Sequence, residues 1–411
     1  MASNRFTNIH SHIFTSTEVP DYFLKTIIGN DWIARNLNSL FQKKMTLNAM
    51  KPILWAMKAI SPNYRNSIER YIEFIQIGAS STQGEIFDRE ASAYSGIGNY
   101  RIVVLTQMLD YLDVNSKSNH KRIQTQVEEV VQLKRDANYQ KRLYPFLSVD
   151  PRMTFMEPID WVQKYISKDM GFYGIKMYPA YGFFPFDARL DPVYEWAEKY
   201  EVPIMTHCTR GGSWYLGTFD SVLNKGGFMA PGLNEDHASM TKIRGRINSL
   251  IADKDKHKNN KYWCNIFGHI ENYEPVLAKY PNLKICFAHM GGATEILRPK
   301  KDKSYPKYFD DNWYEMILDK LANHKNTYTD ISYTLSNEKA MARIKSDYVD
   351  KDFLKYKVLY GTDFFLTQVE KKGDEPNMLS TFLQLFDQAS IQKIAYDNNE
   401  NYLKSKIHPT P

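Results

Sequence analysis

Phe6-Thr7-Asn8-Ile9-His10-Ser11-His12 is the stretch on which the fold turns. Its apolar, aromatic and β-branched residues read as a strand that runs straight into His-Ser-His. A doubly wound open sheet, the rival architecture, would carry a glycine-rich turn at that point. The chain has no GxGxxG and no GxxxxGK followed by Ser or Thr; after Gly96-Ile97-Gly98 the next required glycine is Arg101. Seven further runs of the same kind occupy 101–107, 143–149, 174–178, 202–207, 283–289, 327–332 and 358–363. Helix signals lie between the later ones. Asp191-Pro192-Val193-Tyr194-Glu195-Trp196-Ala197-Glu198-Lys199-Tyr200 combines a capping Asp, a Pro in the first turn and apolar 3–4 spacing. Strand–helix alternation predicts a parallel sheet, and eight repeats predict a single α/β barrel of the (β/α)8, TIM type over 1–411.

The 411 residues would suggest two or three domains at roughly 150 residues each. A barrel with insertions reaches that length alone. The surplus falls mainly in 13–100, which reads as a helical insertion or cap after strand 1, with helices predicted over 22–41, 45–60 and 64–77. A second long connection, 208–282, leaves strand 5 on the same face of the barrel.

Composition removes several function classes. With 43% hydrophobic and 14% aromatic residues, a large ordered core is expected. The net charge of +6, from 53 basic and 47 acidic side chains, is mild. The Lys-rich stretches 254–261 and 300–307 are broken by Asp, Asn, Ser and Pro, so they read as solvated loops, with no nucleic-acid partner. Apolar runs stop early, as Ile53-Leu54-Trp55-Ala56-Met57 does at Lys58, so no membrane partner is expected. Cys208, Cys264 and Cys286 form no CxxC, and Met1 to Phe14 shows no secretory signal. A cytoplasmic, reducing location is the expectation. Gly211-Gly212-Ser213-Trp214-Tyr215 lacks the last glycine of GxSxG, and HExxH is absent.

The histidines carry the chemistry. His10 and His12 are two apart on strand 1, so a strand period of 2 puts both on one face. His207, His289 and Asp363 end runs five, six and eight. In a parallel barrel those ends converge on the catalytic mouth. Four imidazoles and a carboxylate there form a nitrogen and oxygen set suited to zinc or a related divalent ion. A lone buried His is more often a hydrogen-bonded core residue; the joint pattern on four strands is what points to a metal. His237 and His269 lie in the long connection, outside that convergence.

These residues carry a resemblance. His10-Ser11-His12, Thr206-His207-Cys208, Phe287-Ala288-His289-Met290-Gly291-Gly292, Tyr328-Thr329-Asp330-Ile331-Ser332 and Tyr360-Gly361-Thr362-Asp363 resemble the amidohydrolase superfamily. Within it they resemble the amidohydrolase-related branch, which holds aminocarboxymuconate-semialdehyde and γ-resorcylate type decarboxylases beside true hydrolases. Tyr280-Pro281-Asn282-Leu283-Lys284 and Asp397-Asn398-Asn399-Glu400-Asn401-Tyr402-Leu403 resemble that branch too. The likeness spans roughly 5–408 in order; 13–100 carries no family motif. The resemblance implies that His10, His12, His207 and Asp363 hold one divalent metal, zinc first, with a two-ion site as the alternative. It implies Asp363 as proton acceptor and donor, and His289 as the hydrogen-bond partner of the attacking water or the developing oxyanion. Homodimers are common in the branch, which makes one the expected assembly.

Other residues keep more than one reading. Lys176, in Gly174-Ile175-Lys176-Met177-Tyr178, is a carboxylated bridge between two metals, an active-site cation or a structural residue. Arg210 is a carboxylate clamp, and Trp214, Tyr178 and Tyr181 are walls for a planar group; each is equally loop packing. Asp150 reads as a helix cap, and Asp330 as the residue that orients a ligand His or as a structural hydrogen bond. The functional expectation is a metal-dependent hydrolase opening an amide, lactone or ester of a small, carboxylate-bearing substrate. The alternatives are non-oxidative decarboxylation or hydration on the same site, and a non-catalytic barrel, which the intact ligand set disfavours.

Overall fold

Eight short strands form in the expected order: β1 (Phe6–Ser11), β2 (Tyr100–Leu105), β3 (Leu143–Ser148), β4 (Gly174–Met177), β5 (Ile204–Thr206), β6 (Ile285–Phe287), β7 (Thr327–Asp330) and β8 (Val358–Leu359). The computed structural model describes residues 5–20, 23, 73–112, 121–210, 212, 215–217, 237–299, 310–370 and 372–411. Neighbours pair in sequence order, all parallel. The ring closes at β1 and the chain around β8. The Ile9 amide donates to the Tyr360 carbonyl at 2.9 Å, the Asp363 amide donates to the His10 carbonyl at 2.8 Å, and Ser11 bridges Phe364. The TIM-type α/β barrel is the observed fold.

Alternation sorts the side chains into two layers. Ile9, Val103, Leu105, Tyr144, Phe146, Met205, Cys286 and Leu359 fill the barrel with Tyr402 and Leu403 among them. The outward residues pack under the surrounding helices. In the helix Asp191–Tyr200, Val193, Tyr194 and Ala197 are buried. Each large apolar side chain so buried contributes about 1.5–3 kcal/mol. Asp191 is not that helix's cap: Leu190 holds the position, and the Asp191 carboxylate instead accepts from Lys279 Nζ at 2.7 and 2.8 Å.

Strand β1 departs from strict alternation. Asn8 pairs with Ile102 but Ser11 pairs with Val104, so β1 carries one extra residue there. Such a bulge re-aims side chains near a site. Asn8 and Ser11 both bond outward to Glu90, while His10 and His12 both line the inner cavity. The expected common face of the two histidines is present, through a bulge added to the period of 2.

Of the 13–100 insertion, 24–72 lies outside the described residues, and with it nearly all of the predicted helices. Its described parts include a turn at Ser16–Glu18 and the helix Gln83–Ser92, started by Thr82, whose hydroxyl accepts from the Glu85 amide at 3.2 Å. The 208–282 connection contributes the helices Ala238–Ala252, Asn260–Phe267 and Glu274–Lys279. Among the described residues, no helix is long and apolar enough to cross a membrane.

Candidate metal centre

The strands end earlier than the sequence runs suggest: His10 lies within β1, while His12, His207, His289 and Asp363 sit past the strand ends. His207 follows β5 directly. His289 and Asp363 lie further on, with left-handed φ of 65° and 67°. Non-glycine residues held this way concentrate at functional sites. Gly291 and Gly292 continue the turn after His289 with φ of 83° and 85°, and a Cβ on Gly292 would lie 2.5 Å from Thr209 Oγ1. The expected tight turn is therefore glycine-dependent.

Three imidazoles are anchored through Nδ1. His10 Nδ1 is 2.9 Å from Asp330 Oδ2, His12 Nδ1 is 3.1 Å from the Leu105 carbonyl, and His289 Nδ1 is 2.8 Å from Ser332 Oγ and 3.3 Å from the Ser332 carbonyl. Donation from Nδ1 leaves an Nε2 lone pair, the form in which His binds a metal. His10 Nε2 and His12 Nε2 lie 3.4 and 3.1 Å from Asp363 Oδ1. That oxygen is buried and has no well-formed hydrogen bond. His10, His289 and Asp363 each offer a ligand atom within 4.8 Å of the others. Nitrogen and oxygen donors converging this closely fit a divalent cation between them. The residues present therefore suit the metal.

His207 stacks on Tyr178 with centroids 3.9 Å apart and lies 5.0 Å, ring to ring, from His289. It lines the same cavity of about 360 Å³ as the others but is outside the compact trio, where His289 stands instead.

A family model described as Amidohydrolase matches residues 131–401. The chain belongs to the amidohydrolase family. This amidohydrolase is also similar to solved structures. A putative amidohydrolase from Staphylococcus aureus is 16% identical, covering 77% of this chain and 91% of that one, with a TM-score of 0.45. A probable 2-pyrone-4,6-dicarboxylic acid hydrolase from Acinetobacter baumannii is 13% identical, covering 76% and 86%, at 0.42. The IDCase of Metarhizium anisopliae is 12% identical, covering 78% of each chain, also at 0.42. A comparison with curated proteins finds no match.

Electrostatics in the amidohydrolase site follow from burial. Burial alone would raise the Asp363 carboxyl, but His10, His12 and His289 outweigh it and hold it down to about 2. His10 is pushed well below the ordinary imidazole value by burial and then by Lys176, while burial also lowers His289. Lys176 is fully buried and faces the cavity, its Nζ 3.4 Å from His10 Nε2. Burial brings its ammonium down to about 8 against the pull of Asp363 and Asp330.

The other sequence candidates fall differently. Tyr178 and Tyr181 line the cavity, stacked 4.0 Å apart. Arg210 borders it too, but its guanidinium is committed to the wall: Nε is 3.0 Å from Glu295 Oε1, Nη2 donates to the Asp311 carbonyl at 2.7 Å, and the group lies over Trp313. Trp214 lies outside the described residues. Asp150 caps no helix; it pairs with Arg152 Nη2 at 2.6 Å within a turn. Asp330 does anchor His10, and it also accepts from the His289 amide at 2.9 Å. His237 caps the helix Ala238–Ala252 and His269 the turn Ile270–Tyr273, accepting from the amides of Ser239 and Glu271.

Two residues beside the His10, His12 and His289 imidazoles were given no site role in the sequence. Gln107 Nε2 is 3.3 Å from His12 Nδ1, and its Oε1 accepts from Tyr181 OH at 2.8 Å. Ser332 joins His10, His289 and Asp330. Both are the last residues of their apolar runs, so the rule that flagged the histidines applied to them equally. Phe14, Phe23 and Phe74, from the two described ends of the insertion, add an aromatic wall.

Proposed function

We propose that this amidohydrolase is a metal-dependent hydrolase that adds water across an amide, lactone or ester bond of a small, carboxylate-bearing substrate. The observation that carries the reading is the buried Asp363 Oδ1, with His10 Nε2 and His12 Nε2 at 3.4 and 3.1 Å and His289 beside them. His10, His12, His207 and Asp363 would hold the ion, zinc being the best match to the donor set. When bound, the ion supplies Lewis acidity and lowers the pKa of water from about 15.7 toward about 7.

The chain's own groups do the rest. Asp363 takes the proton of the attacking water and returns it to the leaving group. His289, with Nδ1 donated to Ser332, presents Nε2 as an acceptor that orients that water. Lys176 places a cation beside the substrate's carboxylate in a dry setting, where the attraction is strong. Tyr178 offers a ring face next to His207 for the planar part of the substrate. Phe14, Phe23 and Phe74, at the described ends of the insertion, wall the cavity and exclude water from it.

A library of lactones, amides, esters and aromatic or enoic acids, incubated with zinc-loaded protein, tests this. Acid release with oxygen from ¹⁸O-labelled water in the product is the expected outcome. CO₂ release without ¹⁸O incorporation would overturn hydrolysis in favour of a carbon–carbon lyase on the same residues.

A further inference from the structure

Behind the β1–β8 seam, outside the cavity, lies a buried polar cluster that the chemistry above does not use. Glu90, from the helix Gln83–Ser92, and Glu375, from the first turn of the helix Glu375–Leu385, both reach toward β1. Asn8 Nδ2 lies 2.9 Å from Glu90 Oε1 and 3.2 Å from Glu375 Oε1. Ser11 Oγ donates to Glu90, while Thr362 Oγ1 donates to Glu375 at 3.1 Å and Tyr94 OH donates to the same oxygen. Asn8 Oδ1 accepts from the amides of His10 and Thr362, each at 3.2 Å.

The placement is specific. Asn8 precedes His10 by two residues, Ser11 stands between His10 and His12, and Thr362 precedes Asp363. Each handle is therefore within two residues of a proposed ligand, and two separate helices grip the handles. The β1 bulge makes this arrangement possible, because it turns Asn8 and Ser11 to the same outer side. Two carboxyls in a dry cluster are costly unless hydrogen-bonded and partly protonated. Burial and Glu375 push Glu90 well above its usual range, and burial brings Glu375 up to about 7. A neutral amide is thus a fair replacement for either.

We propose that Glu90 and Glu375 are positioning residues that clamp Asn8, Ser11 and Thr362 and so fix the spacing of His10 and His12 relative to Asp363. The inference rests on the metal-site reading above. Its test is the Zn²⁺ dissociation constant, by competition with a chromophoric chelator, for wild type, Glu90→Ala, Glu375→Ala and the two Gln variants. Asp347→Ala serves as a control, since Asp347 holds Tyr314 and Arg343 on a remote helix.

The Ala variants should bind zinc about 10–100-fold more weakly, the usual cost of losing a group that supports a ligand. The Gln variants should recover to within a few-fold of wild type, and Asp347→Ala should bind normally although it melts earlier. Ala variants with wild-type affinity, or Gln variants no better than Ala, overturn the clamp. Should the Ala variants fail to fold, Ser11→Ala and Thr362→Val each remove one handle; a several-fold loss supports the clamp and unchanged affinity overturns it. A wild-type protein that takes up no zinc overturns the metal reading, and the clamp with it.

Discussion

Asp363 is the residue where the proposed ligand and base roles meet an observed backbone constraint, a left-handed φ of 67°. Its carboxyl is held at about 2, so it is ionised throughout the neutral range. Asp363→Asn removes the charge and the proton acceptor while keeping the shape. Turnover should fall by about 10²–10⁴, the usual worth of a general base, with the melting temperature of the metal-free protein little changed. Near-wild-type kcat for this variant would remove Asp363 from the chemistry. The convergence of His10, His12, His207, His289 and Asp363 on one cavity was legible in sequence because chemistry-bearing residues at successive strand ends are rare by chance. Gln107 and Ser332 occupy the same strand-end positions, but their side chains do not announce a metal. Glu90 and Glu375 were not legible at all. They meet Asn8 across 82 and 367 positions of chain, and only closure of the barrel brings them together.

At the scale of elements, the number and order of strands could be read from the sequence, but their ends could not. The apolar runs continue past the ladders because His289 and Asp363 turn into left-handed backbone, a choice that residue type does not encode. The β1 bulge was hidden likewise, since one extra residue leaves the apolar pattern nearly intact. The β5–β6 connection carries a pH-sensitive joint. His269 caps the turn Ile270–Tyr273, with no exposure to solvent, and its Nε2 lies 3.5 Å from Asp311 Oδ2. Burial first, and then the Arg246 charge, lower its pKa from 6.5 to about 3, against the hydrogen bond to Asp311. The unfolded chain therefore binds this proton more readily than the folded one. The contribution is complete above pH 6.5 and is lost as pH falls toward 3. His269→Gln should accordingly flatten the fall in melting temperature between pH 6.5 and 4. Parallel curves for variant and wild type would show that His269 carries no such linkage. Asp311 is itself depressed, but an ordinary carboxyl titrates near 3.8, below most of that window.

For the whole molecule, eight parallel strands make one barrel, and described parts of both long connections reach its cavity. Phe14, Phe23 and Phe74 bring the insertion to the cavity, and Arg210 and Gly212 bring the β5–β6 connection. The net charge had no say in this; Lys176, a single buried cation beside His10, matters more than the +6 spread over the surface. The central claim is that four strand ends build one metal site. The most direct measurement is metal content by mass spectrometry after zinc loading and gel filtration, for wild type and for His10→Ala combined with His12→Ala. Wild type should retain about one ion per chain, bound tightly as three-or-more-ligand zinc sites are, and the double variant should retain close to none. Full zinc content in the double variant would contradict the ligand assignment.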